Sequence, residues 1–194
     1  MLQDIRGHRL TGATNTSLPH YEAALRELNL FINDPVATVD KAIAESPDFV
    51  MAHLLKAWLH LLGTEPAGTA VALEALETTW RLASTGQEQG HIVAISHLAA
   101  GRWHLASQVL EDIAIEYPRD LLALQAGHQL DFFRGDARML RDRVTRALPA
   151  WSPKVPGYHT VLGMQAFGLE ESGHYAEAER CGHEAVELEP RDAW

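Results

Sequence analysis

The residues of this chain best able to do chemistry are its histidines, eleven among 194 residues. His60 and His97 fall at one position of a repeating helical pattern, Asp131 falls at the same position further on, and His128 precedes Asp131 by one turn. His53 lies seven residues before His60, on the same face of its helix. Imidazole titrates near neutrality, so a cluster of His60, His97, His128 and Asp131 would supply a base or a metal ligand. The same residues have a plainer use. Polar side chains buried between neighbouring helices fix register by bonding to one another, since each left unmatched costs about 1–3 kcal/mol.

Further signs of chemistry are few. No H-E-x-x-H spacing occurs and Cys181 is the only cysteine, so no metal site is expected. The run "GMQAFG" at 163–168 lacks a phosphate-loop lysine and a preceding strand, and no G-x-S-x-G elbow is present, so no cofactor is expected. Ser96 and His97 are adjacent but point about 100° apart on a helix, which excludes a dyad. Cys181 beside Gly182 and His183 reads as helix packing, and Glu170 with Glu171 as a solvated helix end. His8, His20, His104, His174 and His183 read as surface or turn residues.

The elements that must position these groups are helices. "GRWHLASQVLEDIAIEYP" (101–118), "GDARMLRDRVTRALPAWS" (135–152) and "GHYAEAERCGHEAVELEP" (173–190) begin on glycines 34 and 38 residues apart. Small or apolar residues recur in each, at Ala106, Leu140 and Ala178 and again at Ile113, Ala147 and Ala185. This is the pattern of a tetratricopeptide repeat: helix A, a tight turn, helix B, then Pro. A glycine after helix A takes the left-handed conformation that reverses the chain, and Pro after helix B withholds an N–H and stops it. "DPVATVDKAIAESPDF" (34–49) reads as an earlier helix B with Asp34 as N-cap and Pro35 at the first helical position. The spacing predicts A helices near 18–32, 49–62, 87–100, 120–134 and 157–172, and B helices near 35–46, 68–84, 103–117, 137–149 and 175–188. The fold expected is all-α: a right-handed α-solenoid of about five such hairpins, in a single domain over 1–194. "PAWSPKVPGY" (149–158) is an insertion within the array.

Composition agrees with a packed helical protein. Apolar residues make up 46%, and β-branched residues never alternate as a strand would require. The formal charge of −10 comes from 26 acidic and 16 basic residues spread along the chain. Such a surface repels phosphate backbones and anionic membranes, so neither nucleic acid nor a membrane is an expected partner. The N-terminus "MLQDIRGHRL" has no apolar signal core, no run of 18 apolar residues exists, and a lone cysteine suits a reducing compartment, which points to the cytoplasm.

More specific stretches are "DIRGHRLTGATNTSLPHYEAAL" (4–25), "FVMAHLLKAWLHLLGT" (49–64) and the long run from Asp120 to Glu179, above all "AWSPKVPGY" and "MQAFGLEESGHY". In these, and over nearly its whole length, the chain resembles the family of tetratricopeptide repeat protein 38. The resemblance implies the helical-hairpin fold and a longer chain in which a further His-bearing helix begins near "RDAW". It carries no catalytic residue onto this sequence. Independently, "RDAW" after Pro190 mirrors "RDLLAL" after Pro118, so Asp192 would cap another helix A and Trp194 would be buried in it. The chain is therefore expected to be the front of something longer, or to meet a second copy through the uncapped end at Trp194.

In such folds the A helices line a concave face. Here that face would carry Met51, Trp58, Leu61, Ile95, Leu98, Phe132 and Phe167, an apolar and aromatic groove for a protein segment, the protein's own C-terminal half or an apolar ligand. The expected function is a binding scaffold. The alternative is an enzyme, or a subunit of one, whose His/Asp site is enclosed by the A helices.

Overall fold

A computed structural model describes residues 1–82 and 84–192. Trp194, with its expected burial or self-association, lies outside the described residues. Contacts gather into two compact units, Met1–Leu28 with Ile32–Leu110, and Asn29–Phe31 with Glu111–Trp194. Both are helical, and neighbouring helices pack in pairs.

The first unit opens with a two-residue antiparallel ribbon, β1 (Leu2–Gln3) on β2 (Arg9–Leu10). Then come α1 (Ser17–Leu30), whose last residues join the second unit, α2 (Pro35–Glu45), α3 (Val50–Leu62), α4 (Gly68–Thr79) and α5 (Gly86–Ala99). α3 is apolar on most of its circumference and packs against α2, α4 and α5. The helix α6 (Trp103–Glu116) begins in this unit and ends in the other. The second unit continues with α7 (Leu121–Phe133), α8 (Ala137–Ala147), a 3-10 turn (Leu148–Ala150), α9 (Tyr158–Glu171) and α10 (Tyr175–Leu188). Here α8 packs on α7 and α9, and α9 packs on α7 and α10.

The helix ends follow the sequence signals. Asp34 accepts a hydrogen bond from the Ala37 amide (3.0 Å), Asp120 from Ala123 (2.9 Å) and Asp136 from Met139 (3.1 Å). Each satisfies an amide the first helical turn leaves open. The three leading glycines share one corner. Gly101, Gly135 and Gly173 have φ of +73°, +67° and +80°. The amide after each returns to a carbonyl five residues back: Arg102 to His97 (2.9 Å), Asp136 to Asp131 (2.9 Å) and His174 to Leu169 (2.8 Å). This left-handed, six-to-one closure places His97 and Asp131 at equivalent points of their hairpins.

Two features depart from the spacing. α4 ends at Thr79 rather than near residue 84. The hydroxyls of Thr78 and Thr79 turn back onto the carbonyls of Glu74 (3.2 Å) and Leu76 (3.1 Å), the local competition by which adjacent threonines weaken a helix. The N-terminal ribbon likewise has no counterpart in the helical spacing. Its turn is organised by Asp4, whose carboxylate accepts from the amides of Arg6 (2.9 Å) and His8 (2.8 Å), and Arg6 reaches Glu22 on α1 (2.8 Å). Burial pushes the Asp4 carboxyl up, but hydrogen bonds from His8 and the charge of Arg6 outweigh it and hold the group below its ordinary value.

The insertion at 149–158 is packed against the second unit's core. Trp151 joins Leu121, Leu124, Val144, Val161 and Met164, and its indole N–H donates to the Pro118 carbonyl (2.7 Å). Arg119 Nε donates to the Ala150 carbonyl (2.8 Å) from the other side.

Candidate interaction surface

The polar centre of the second unit is built on α7 and α8. Arg143 is 1% exposed and Asp131 fully buried. Arg143 Nε and one terminal nitrogen each lie 2.9 Å from Asp131 Oδ2, and the other terminal nitrogen lies 3.0 Å from Glu111 Oε2 on α6. Arg146 binds the second oxygen of Glu111, and Arg134 stands 3.6 Å from Asp131 Oδ1. The guanidinium fits because residue 127 is glycine. A Cβ there would meet Arg143 Nε at 2.7 Å and Cζ at 2.8 Å.

His128 is also fully buried, one turn before Asp131. Burial, and secondarily the charge of Arg143, lower its pKa to about 3, with a hydrogen bond to the Leu140 backbone acting in the opposite direction. Its ring meets the Phe167 ring edge to face at 5.8 Å. The two predicted residues of this unit are thus neighbours, but both are sealed from solvent. Asp131 is held by a fixed cation and His128 is kept neutral. Their geometry ties α7 to α8 and α9.

The predicted residues of the first unit are placed otherwise than expected. Met51, Trp58 and Ile95 are at most 1% exposed, and Leu61 and Leu98 are buried as well. They pack within the core of that unit instead of lining an open face, because α3 has neighbours on α2, α4 and α5 sides at once. Trp58 donates its indole N–H to Nδ1 of His91 (3.0 Å), a fully buried histidine on α5 that the motif reading missed. His91, Ile95 and Leu98 fall at i, i+4 and i+7, so helical periodicity alone carried the signal. His60 and His97 are half-buried. Gly68 passes so close that a Cβ would lie 2.3 Å from the His60 carbonyl oxygen, and His97 Nδ1 accepts from Arg102 Nε at 3.0 Å. Among the described residues, no group of three or more His, Cys, Asp or Glu could hold a metal ion.

Of the expected groove, Phe132 and Phe167 remain at the surface of the second unit. Phe132 is 49% exposed and its ring meets that of Phe167 at 5.6 Å, while Phe133, 44% exposed, meets Phe132 at 5.8 Å. Beside them, Ala166, Phe167, Glu170, Tyr175, Ala178 and Glu179 line a shallow cleft of about 410 Å³ between α9 and α10. Tyr175 is 67% exposed. Phe133 and Tyr175 were not singled out from sequence, since each adjoins a turn where the apolar period breaks.

Other reactive groups are poorly placed for chemistry. The Cys181 thiol is half-buried, and burial followed by the charge of Glu184 pushes its pKa up. His159 Nδ1 lies 2.6 Å from Asp192 Oδ2, joining the start of α9 to the segment after α10. No protein-family model matches the chain. No helix among the described residues is long and apolar enough to cross a membrane.

Proposed function

We propose that this chain is a helical-repeat scaffold of the tetratricopeptide type, related to the family of tetratricopeptide repeat protein 38, that holds a segment of another protein. The observation that carries the reading is the aromatic surface of the second unit. Phe132, Phe133, Phe167 and Tyr175 lie on or beside a cleft, with the three phenylalanine rings in contact through Phe132 and roughly half or more of Phe132, Phe133 and Tyr175 open to solvent. Grouped aromatic exposure of this kind is a feature of contact surfaces, because such side chains contribute large apolar area at low entropic cost. The burial of His128 and Asp131 favours the same reading, since it leaves those groups to structural work. The left-handed glycine corners at 101, 135 and 173 support repeats of the tetratricopeptide kind and an α-solenoid class of fold. A lone cysteine fits a reducing compartment such as the cytoplasm.

The test is quantitative affinity enrichment with the wild-type chain, Phe132→Ala and Tyr175→Ala, alongside thermal melting. Both positions are exposed, so melting should change little. Loss of the same enriched proteins from both variants is expected. An unchanged set of partners ends the proposal.

A further inference from the structure

The turn between β1 and β2 gathers Asp4, Arg6 and His8 against Glu22 of α1. Asp4 Oδ1 accepts from the amides of Arg6 and His8, and the Asp4 amide donates to the His8 carbonyl (2.9 Å). Asp4 Oδ2 lies 3.2 Å from Nδ1 of the His8 ring and 3.6 Å from Arg6 Nε. Glu22 binds the far end of Arg6 and accepts from the Ile5 amide (3.1 Å). None of the four side chains is more than 14% exposed. The arm has a second anchor at its other end, where Thr11 donates its amide and hydroxyl to Glu88 on α5.

The first anchor is short of positive charge. Asp4 and Glu22 bring two carboxylates and Arg6 one guanidinium. Burial works against the Arg6 cation, and Glu22, Asp4 and Tyr21 of α1 outweigh it. Arg9, the next residue, and Arg26, one turn beyond Glu22, are both exposed, so water screens their charges. A carboxylate can only accept, so the hydrogen shared by His8 and Asp4 sits on Nδ1. A second proton, added at Nε2, leaves that bond in place, makes it an ion pair and balances the cluster. Charge-assisted bonds of this kind are shorter and stronger than neutral ones.

We propose that Asp4 and His8 form a proton-sensitive latch on the N-terminal arm: the protonated imidazole fastens the turn at residues 4–8 onto α1, and loss of that proton slackens it while the Thr11 anchor stays shut. The two anchors respond differently because the donors at Glu88, amides and a hydroxyl, do not titrate near neutrality. A proton held more tightly by the folded chain than by the unfolded one stabilises fully below the ordinary imidazole range, and the gain is lost as pH climbs above it. In the acid range the contribution is constant and adds no slope.

The test is hydrogen exchange on the full chain, corrected for intrinsic rates, between about pH 5.5 and about 8.5, the span over which an imidazole changes charge. NMR titration of the His8 ring runs alongside. The opening constants of the Arg6 and His8 amides should rise about tenfold across that span, the equivalent of one pKa unit, and that of Thr11 should stay level. His8→Gln keeps a donor for Asp4 without a titrating charge, and its Arg6 amide should open equally at both ends. The wild-type ring should titrate above the ordinary value of about 6.5. Titration at or below that value overturns the proposal, whether or not His8→Gln holds the turn. So does an equal pH dependence in His8→Gln, or a Thr11 amide that opens in step with that of Arg6.

Discussion

Arg143 places two of its nitrogens 2.9 Å from a single oxygen of Asp131, and neither side chain is more than 1% exposed. A pair so far from water is costly to create and costlier to halve, because the survivor keeps its charge without its neighbour. Asp131→Leu alone should destabilise the protein by about 3–5 kcal/mol. Asp131→Leu with Arg143→Met should recover most of that loss, as an apolar replacement removes both charges together. Urea unfolding of the single and double variants checks this. A double variant no more stable than the single would place the worth of Arg143 in its ion pair with Glu111.

Gly127→Ala opposes two effects. Alanine favours a helix interior by about 1 kcal/mol over glycine. Its Cβ would also stand 2.7–2.9 Å from the Arg143 guanidinium, which Asp131 and Glu111 hold in place. The clash should win, with a net loss of about 1–3 kcal/mol. In Arg143→Met the same substitution should become neutral or favourable, and a thermal-melt cycle over both positions measures the coupling.

His128 predicts a slope in stability with pH. The folded protein keeps the ring neutral down to about pH 3, against an ordinary value of 6.5. Below pH 6.5 the unfolded chain takes up a proton that the folded chain refuses. The stability is therefore complete above 6.5 and is lost progressively as pH falls toward 3, by at most about 1.4 kcal/mol per unit. The depressed Asp4 carboxyl contributes only below its ordinary 3.8, so the interval above about pH 4.5 reports on His128. His128→Phe should flatten the unfolding free energy between pH 6.5 and about 4.5. An identical slope in the variant refutes the assignment.

Glu88 predicts a local effect. It is fully buried, and its carboxylate accepts from the Thr85 amide (2.7 Å), the Thr11 amide (2.8 Å) and the Thr11 hydroxyl (2.7 Å). Glu88→Ala removes the acceptor from these donors, at about 1–3 kcal/mol for each left buried and unmatched. Hydrogen exchange should show the amides of residues 2–12 losing protection well before those of α3. Uniform loss across the unit would mean that the ribbon is not separately held.

Much of the helical layout could be read from the chain itself, because helix boundaries are set by neighbours in sequence. Asp34 with Pro35, Asp120, Asp136 and the glycines at 101, 135 and 173 each act within one turn of where they stand. Which side of a helix is covered depends on residues far away, and there the sequence was less informative. The period of α3 places Trp58 and Met51 on a common side but does not say that α5 lies over it. Asp131 was recognisable as a polar residue at an apolar site. Its cation was not, since Arg143 looks from sequence like one more solvated arginine on a strongly charged helix. The N-terminal ribbon was invisible for a related reason: what organises it, beyond Asp4, is Glu22 and Glu88, 17 and 77 residues from their partners.

The reach of Glu88 bears on how the chain acquires its structure during synthesis. Residues 2–11 leave the ribosome well ahead of α5, and the carboxylate that receives Thr11 is made 77 residues later. Domains emerge and fold from the N-terminus onward at about 5–20 residues per second, so this segment waits some seconds for its anchor. The earliest-made part of this unit is thus among the last of it to settle, and until α5 appears it lacks the carboxylate that receives it.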